Sequence, residues 1–252
     1  MARTWVDEYY NIVEFFYWMP HYLGRSKSEK SRFRNFDEVL PSLRRKEETL
    51  NHLLTLLFYL APNELSNGLF SHVFGRLFDE PYRLFDQRLP DMPSLDDVTQ
   101  PDIFFMGRKN VVAIELKINA QSSLEQVIKY AFLFVREQQY AQQEKDRFLL
   151  FMGPDQFANL WSEKCPDPNV LQAVLANYSL PDRLGGYDIS ADQTRIRTML
   201  QQMQIGFINY PQLVDYLQVQ RANIDQDSAY AETYGRLLDG VIEELKVRKL
   251  AQ

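Results

Sequence analysis

The chain predicts a mixed α/β fold, a sheet flanked by helices. Residues 101–118 hold two apolar runs around a polar turn, apolar residues at helical spacing precede and follow them, and another apolar run closes the pattern at 148–153. At 252 residues the chain can bury a sizeable core, and one compact domain with appendages is the expected organisation. The expected boundaries are an N-terminal aromatic helix and basic loop over 1–45, a core with a helix-strand-helix extension over 46–220, and a C-terminal helix over 221–252.

Residues 5–20 crowd Trp5, Tyr9, Tyr10, Phe15, Phe16, Tyr17 and Trp18 among Asp7, Glu8 and Glu14, which reads as an amphipathic helix packed on the body or on a second subunit. Gly24 to Arg34 is a polar loop with five basic residues against one acid, and Arg44-Arg45-Lys46 is a second basic cluster. Each is either a solvated run or a surface for phosphate contacts. A helical region covers about 46–78. In it Leu65, Leu69, Val73 and Leu77 repeat at helical spacing, Asn63 is placed to cap, and Glu64 lies beside the stripe. A strand is expected near Tyr82–Leu89.

The hairpin carries most information. Strands at about 102–107 and 111–118 flank Gly107-Arg-Lys-Asn110, a turn by its Gly and Asn. A turn centred on Arg108-Lys109 sets Asp102 directly opposite Glu115. Opposed Cβ atoms on such a pair lie about 5 Å apart, so two carboxylates there repel unless a cation or proton separates them. A divalent metal is the natural occupant. On the second strand Val112, Ile114, Leu116 and Ile118 share one wholly apolar face, whereas Val111, Ala113, Glu115 and Lys117 share the other. So apolar a strand is expected to be central and covered on both faces. The competing reading is an ion pair between Lys117 and either acid on a solvated face.

A helix over about 122–142 follows, capped by Ser122 or Ser123. Gln126 and Tyr130, four apart, share one face near its start, beside the strand end that bears Lys117. An amide and a phenol there can hydrogen-bond a carboxylate or a phosphate oxygen. After a strand at Phe148–Gly153, residues 154–181 read as helical with proline-bounded loops, and 192–202 as a helix. Ile205–Asn209 reads as a short strand able to extend the sheet, Pro211 sits early in another helix, and Ser228–Leu250 forms an amphipathic closing helix.

The lone cysteine, Cys165, excludes an intrachain disulfide and fits a reducing compartment, and the three histidines lack zinc-ligand spacing. With no signal-peptide pattern at the start and no apolar run long enough to span a bilayer, a cytoplasmic, membrane-free protein is expected. A net charge of −6 argues against coating nucleic acid by bulk attraction, although a local basic patch would still bind it. No phosphate-binding Gly-x-x-x-x-Gly-Lys loop is present.

The string Pro101-Asp102, Glu115-Leu116-Lys117, Gln126-x-x-x-Tyr130 resembles the PD-(D/E)XK nuclease superfamily, and its last part looks like the RecB-like branch. The match covers roughly 46–153. The resemblance implies a restriction-endonuclease-like αβββαβ core with extra N- and C-terminal helices, and an acid on the first core helix, for which Glu64 is the best match and Glu47 and Glu48 are competitors. It implies a metal-dependent nuclease, most simply on DNA, with RNA left open. Glu64, Asp102, Glu115 and the backbone carbonyl of Leu116 would hold Mg²⁺ or Mn²⁺, with Lys117, Gln126 and Tyr130 completing the site. A homodimer or a partner protein would use the N- or C-terminal helices. The alternative function is a catalytically silent nuclease-fold module that binds or regulates a partner; a poorer one is a helical scaffold whose hairpin salt bridge mimics the motif.

Overall fold

The computed structural model describes residues 4–14, 36–86, 99–118, 121–141, 143–154, 156–161, 165–225 and 227–251. The basic run Gly24–Arg34, the aromatic residues 15–20 and the end of the strand expected near Tyr82–Leu89 lie outside them. The chain forms two compact units, residues 62–213 and residues 1–61 with 214–252, whereas the sequence predicts boundaries at 45/46 and 220/221.

The 62–213 unit is mixed α/β. Its sheet-forming strands are β1 (Arg83–Asp86), β2 (Ile103–Met106), β3 (Asn110–Leu116), β4 (Asp146–Gly153) and, after a short β5–β6 ribbon (Arg183–Leu184 and Tyr187–Asp188), β7 (Gln204–Asn209). The sheet order is β1-β2-β3-β4-β7; β1, β2 and β3 are antiparallel, while β4 runs parallel to β3 and β7 parallel to β4. β3 is therefore central, and every residue in it is buried, as its continuous apolar character demands. The late Ile205–Asn209 strand extends the sheet as expected.

Two helices of this unit cover opposite faces. One, Asn63–Phe74, sends Phe70 and Phe74 to the face bearing Phe105 and Phe148, in ring contacts with centroids 5.0 and 4.8 Å apart. The other, Leu124–Ala141, buries Val127, Tyr130, Ala131 and Phe134 with Val111, Ala113 and Phe104 on the second face. Two expectations for the first helix are corrected. Pro62 rather than Asn63 holds the N-cap position, with Asn63 already helical. Leu77 does not continue the apolar stripe, because Gly75 adopts a left-handed φ of 63° that ends the helix two residues earlier and leaves Leu77 exposed.

The unit of residues 1–61 and 214–252 is helical among its described residues. Numbered along the chain, its helices include α1 (Trp5–Tyr9), α2 (Phe36–Leu43) and α3 (Glu47–Leu60); the two sheet-covering helices are then α4 (Asn63–Phe74) and α5 (Leu124–Ala141). Helices α6 (Pro168–Ala176) and α7 (Gln193–Gln202) belong to the 62–213 unit, α8 (Tyr210–Ala222) contains the boundary, and α9 (Ala231–Val247) follows it. The apolar stripe of α9, including Leu238, Val241 and Leu245, is buried, and the helix packs on α1 and α3. Arg44 in the second basic cluster is committed internally, to Glu244 at 2.8 Å and Asp7 at 3.0 Å. It is a structural ion pair and not a free phosphate contact. Among the described residues no helix is long and apolar enough to cross a membrane.

Candidate active site

The site grows from the hairpin register. Ile103 pairs with Ile114 and Phe104 with Ala113, so one step outward Asp102 faces Glu115, as the turn chemistry predicts. Gly107 N–H donates to the Asn110 carbonyl at 2.9 Å and closes the turn. A feature that sequence spacing does not reveal fixes that turn. Glu80, buried, accepts from the backbone N–H groups of Arg108, Lys109 and Asn110 at 2.8–2.9 Å and from the Asn110 side-chain amide at 2.7 Å. A Cβ at Gly107 would come within 2.5 Å of the Glu80 carboxylate, so only glycine lets the turn close over it. Nothing local marks Glu80 for this role, because its partners lie about thirty residues on.

At the other end of the strand, Glu115 is 4% exposed and engaged at both oxygens. Lys117 Nζ lies 2.6 Å from its Oε1, Gln126 Nε2 donates to the same oxygen, and the Tyr130 hydroxyl donates to Oε2. Helix α5 makes this possible. Its first turn is capped by Ser123, whose hydroxyl accepts from Gln126 N–H at 3.3 Å, and the four-residue spacing then stacks Gln126 and Tyr130 toward the carboxylate. Asp102 Oδ2 accepts from Leu116 N–H at 2.7 Å, which locks one acid against the strand that bears the other. Lys117 is held by its backbone as well: its N–H donates to the Met152 carbonyl at 2.8 Å, and its carbonyl accepts from the Tyr210 hydroxyl at 3.1 Å. Sequence spacing gives Tyr210 no such role.

The Tyr130 phenol is pushed well above its ordinary range, chiefly by burial and further by the negative charges of Glu115 and Asp102. It therefore remains a donor throughout the neutral range, and a carboxylate held by a neutral phenol, an amide and an ammonium keeps one orientation. Next to this helix start, Ser122 bridges to Trp161, with its N–H donating to the Leu160 carbonyl at 2.6 Å; Ser122 Oγ and Trp161 Nε1 are both buried without a partner.

Five of the six expected side chains, Asp102, Glu115, Lys117, Gln126 and Tyr130, thus converge. Glu64 occupies the exposed first turn of α4, where it favours the helix dipole. Among the described residues no three His, Cys, Asp or Glu side chains form a group able to hold a metal, so Glu64 does not complete a three-acid set with Asp102 and Glu115. Glu47 and Glu48 open α3 in the other unit. What remains of the donors that the resemblance implies is two carboxylates and the Leu116 carbonyl. That donor set suits Mg²⁺ or Mn²⁺, which commonly take one or two carboxylates and fill their other positions with water and phosphate oxygens. No family model, no curated protein and no solved structure matches the chain.

Proposed function

We propose that the chain is a metal-dependent nuclease with a restriction-endonuclease-like core, hydrolysing phosphodiester bonds with DNA as the preferred substrate. The observation that carries this reading is two carboxylates facing each other across a hairpin, with a buried lysine two residues beyond one of them. The order of α4, three antiparallel strands, α5 and a parallel β4 supports it, as does the double attachment of Glu115 to Gln126 and Tyr130.

Asp102, Glu115 and the Leu116 carbonyl would hold Mg²⁺ or Mn²⁺, which supplies a water of lowered pKa and neutralises charge growing on the phosphate. The chain's own groups do the rest. Leu116 N–H fixes Asp102, and Gln126 with Tyr130 fixes Glu115, so neither carboxylate must reorganise when substrate arrives. Lys117 sits 2.6 Å from Glu115, where its ammonium positions the attacking water or offsets phosphoryl charge.

Purified protein is incubated with supercoiled plasmid, linear duplex, single-stranded DNA and single-stranded RNA, in Mg²⁺, Mn²⁺ or EDTA, beside Asp102→Asn. Cleavage that needs metal and that the variant lacks is expected, with DNA cut faster than RNA. Equal cleavage by the variant refutes the assignment of the site.

One observation favours a second reading, a nuclease-fold module that binds a partner without cleaving. Both oxygens of Glu115 are already occupied by protein donors, and among the described residues no third acid joins the pair. Tight nucleic-acid or protein binding without metal-dependent turnover would favour it.

A further inference from the structure

The opposite end of β3 and β4 opens into a cleft of about 630 Å³, lined by Arg108, Lys109, Lys145 and Arg147 together with Met199, Met203 and the amides of Gln138 and Gln202. It belongs to the sheet's other end: Asn110 pairs with Asp146 there, about 20 Å along the strand from Leu116 at ~3.3 Å per residue. Two of its groups, Lys145 and Arg147, form a buried triad with Glu137. Lys145 Nζ lies 3.2 Å and Arg147 Nη2 2.9 Å from the two oxygens of Glu137, and all three side chains are at most 5% exposed.

Within the triad two buried cations share one buried carboxylate, which leaves it one net positive charge where water is largely excluded. Such a surplus is costly unless an anion completes the balance. The side chain of Arg108, at the rim, has no hydrogen bond or ion pair among the described residues, and neither do the amides of Gln138 and Gln202. Arg147 Nε is buried without an acceptor. The two acids of the lining are Glu144 and Asp146, and Asp146 is held by Arg76 at 2.8 Å.

We propose that this cleft binds a small phosphate monoester of mononucleotide size. The phosphoryl group sits against Arg108 and the Lys145–Arg147 surplus, with the remainder within reach of Gln138 and Gln202. A bare phosphate leaves most of the volume unfilled, whereas a mononucleotide matches both the cationic and the amide-bearing walls. The site is separate from the candidate active site and does not depend on its assignment.

The test is thermal unfolding and calorimetry of the full chain in EDTA at matched ionic strength, with adenosine monophosphate, inorganic phosphate and adenosine. Adenosine monophosphate is expected to raise Tm in a saturable, concentration-dependent way, inorganic phosphate less, and adenosine not at all. Arg108→Ala, an exposed change, is expected to keep the ligand-free Tm and to bind adenosine monophosphate about tenfold more weakly, the loss of one charge-assisted contact. Asp102→Asn is expected to bind like the parent protein. No saturable shift at millimolar ligand, an equal shift from adenosine, full affinity in Arg108→Ala, or lost affinity in Asp102→Asn would each overturn the proposal.

Discussion

The two ends of the central strand β3 carry three-membered ion clusters of opposite net charge. At its C-terminal end two carboxylates, Asp102 and Glu115, lie with one ammonium, Lys117. Beside its N-terminal end two cations, Lys145 and Arg147, share one carboxylate, Glu137. Counted over these three groups, the first end sums to one negative charge and the second to one positive charge. A buried ion pair that balances is a weak indicator of function, since replacing it by apolar groups is often neutral. A buried cluster that does not balance is a better place to look for a ligand, and we propose a metal cation at Asp102 and Glu115 and a phosphoryl anion in the cleft.

The largest effect expected is on turnover. Asp102→Asn keeps a side-chain oxygen to accept from Leu116 N–H, so the fold should persist while the metal loses a charged ligand. Metal-dependent cleavage is expected to fall about a thousandfold, the rate equivalent of several kcal/mol of lost charge stabilisation. A fall of less than tenfold, measured on the same DNA, would break the distinction between the two ends.

Stability should respond in mirror image. Lys117→Met takes the ammonium from the two carboxylates, and Glu137→Gln takes the carboxylate from the two cations, so each should cost about 3–5 kcal/mol in urea unfolding. Only the first loss should be recovered by Mn²⁺. Lys145→Met removes the surplus and leaves the Arg147–Glu137 pair balanced, so it should cost less than about 1.5 kcal/mol. Equal costs for Lys145→Met and Glu137→Gln would show that packing, and not charge balance, governs that end.

Much of this contrast is legible in the amino-acid sequence, though unevenly. The pleat alternates every two residues and the Gly107–Asn110 turn sets the pairing, so the register opposing Asp102 to Glu115 can be read directly. Helical spacing likewise places Gln126 and Tyr130 on one face. The end of α4 is also legible, since Gly75 is the residue that a left-handed helix stop favours, but the apolar stripe to Leu77 masks it. Glu80 and the Lys145–Glu137–Arg147 triad are not legible. Their partners come from other elements of the fold, and neither periodicity nor spacing encodes a contact that only tertiary packing creates. Glu64 rests on resemblance; it is exposed, and among the described residues it joins no group of three possible metal ligands.

The turn and the phenols give smaller tests. Glu80→Gln keeps one acceptor oxygen but loses the charge that holds three backbone donors, and should cost about 2–3 kcal/mol in urea unfolding. An unchanged midpoint would show that the hairpin closes without it. Burial raises the phenols of Tyr10, Tyr82 and Tyr130, so the folded chain keeps protons that the unfolded chain releases near about pH 10. Their contribution is intact below that pH and declines as pH rises above it. The urea midpoint should therefore fall above about pH 10, and less steeply in Tyr130→Phe. Identical slopes would mean that Tyr130 ionises without unfolding.

The most direct measurement of the central claim is the Mn²⁺ dependence of unfolding for the parent protein and for Asp102→Asn. A saturable rise in Tm that Asp102→Asn loses, and that Glu137→Gln retains, is the predicted result. A rise of the same size in Asp102→Asn, or none in the parent protein, would contradict the assignment of the missing cation to Asp102 and Glu115.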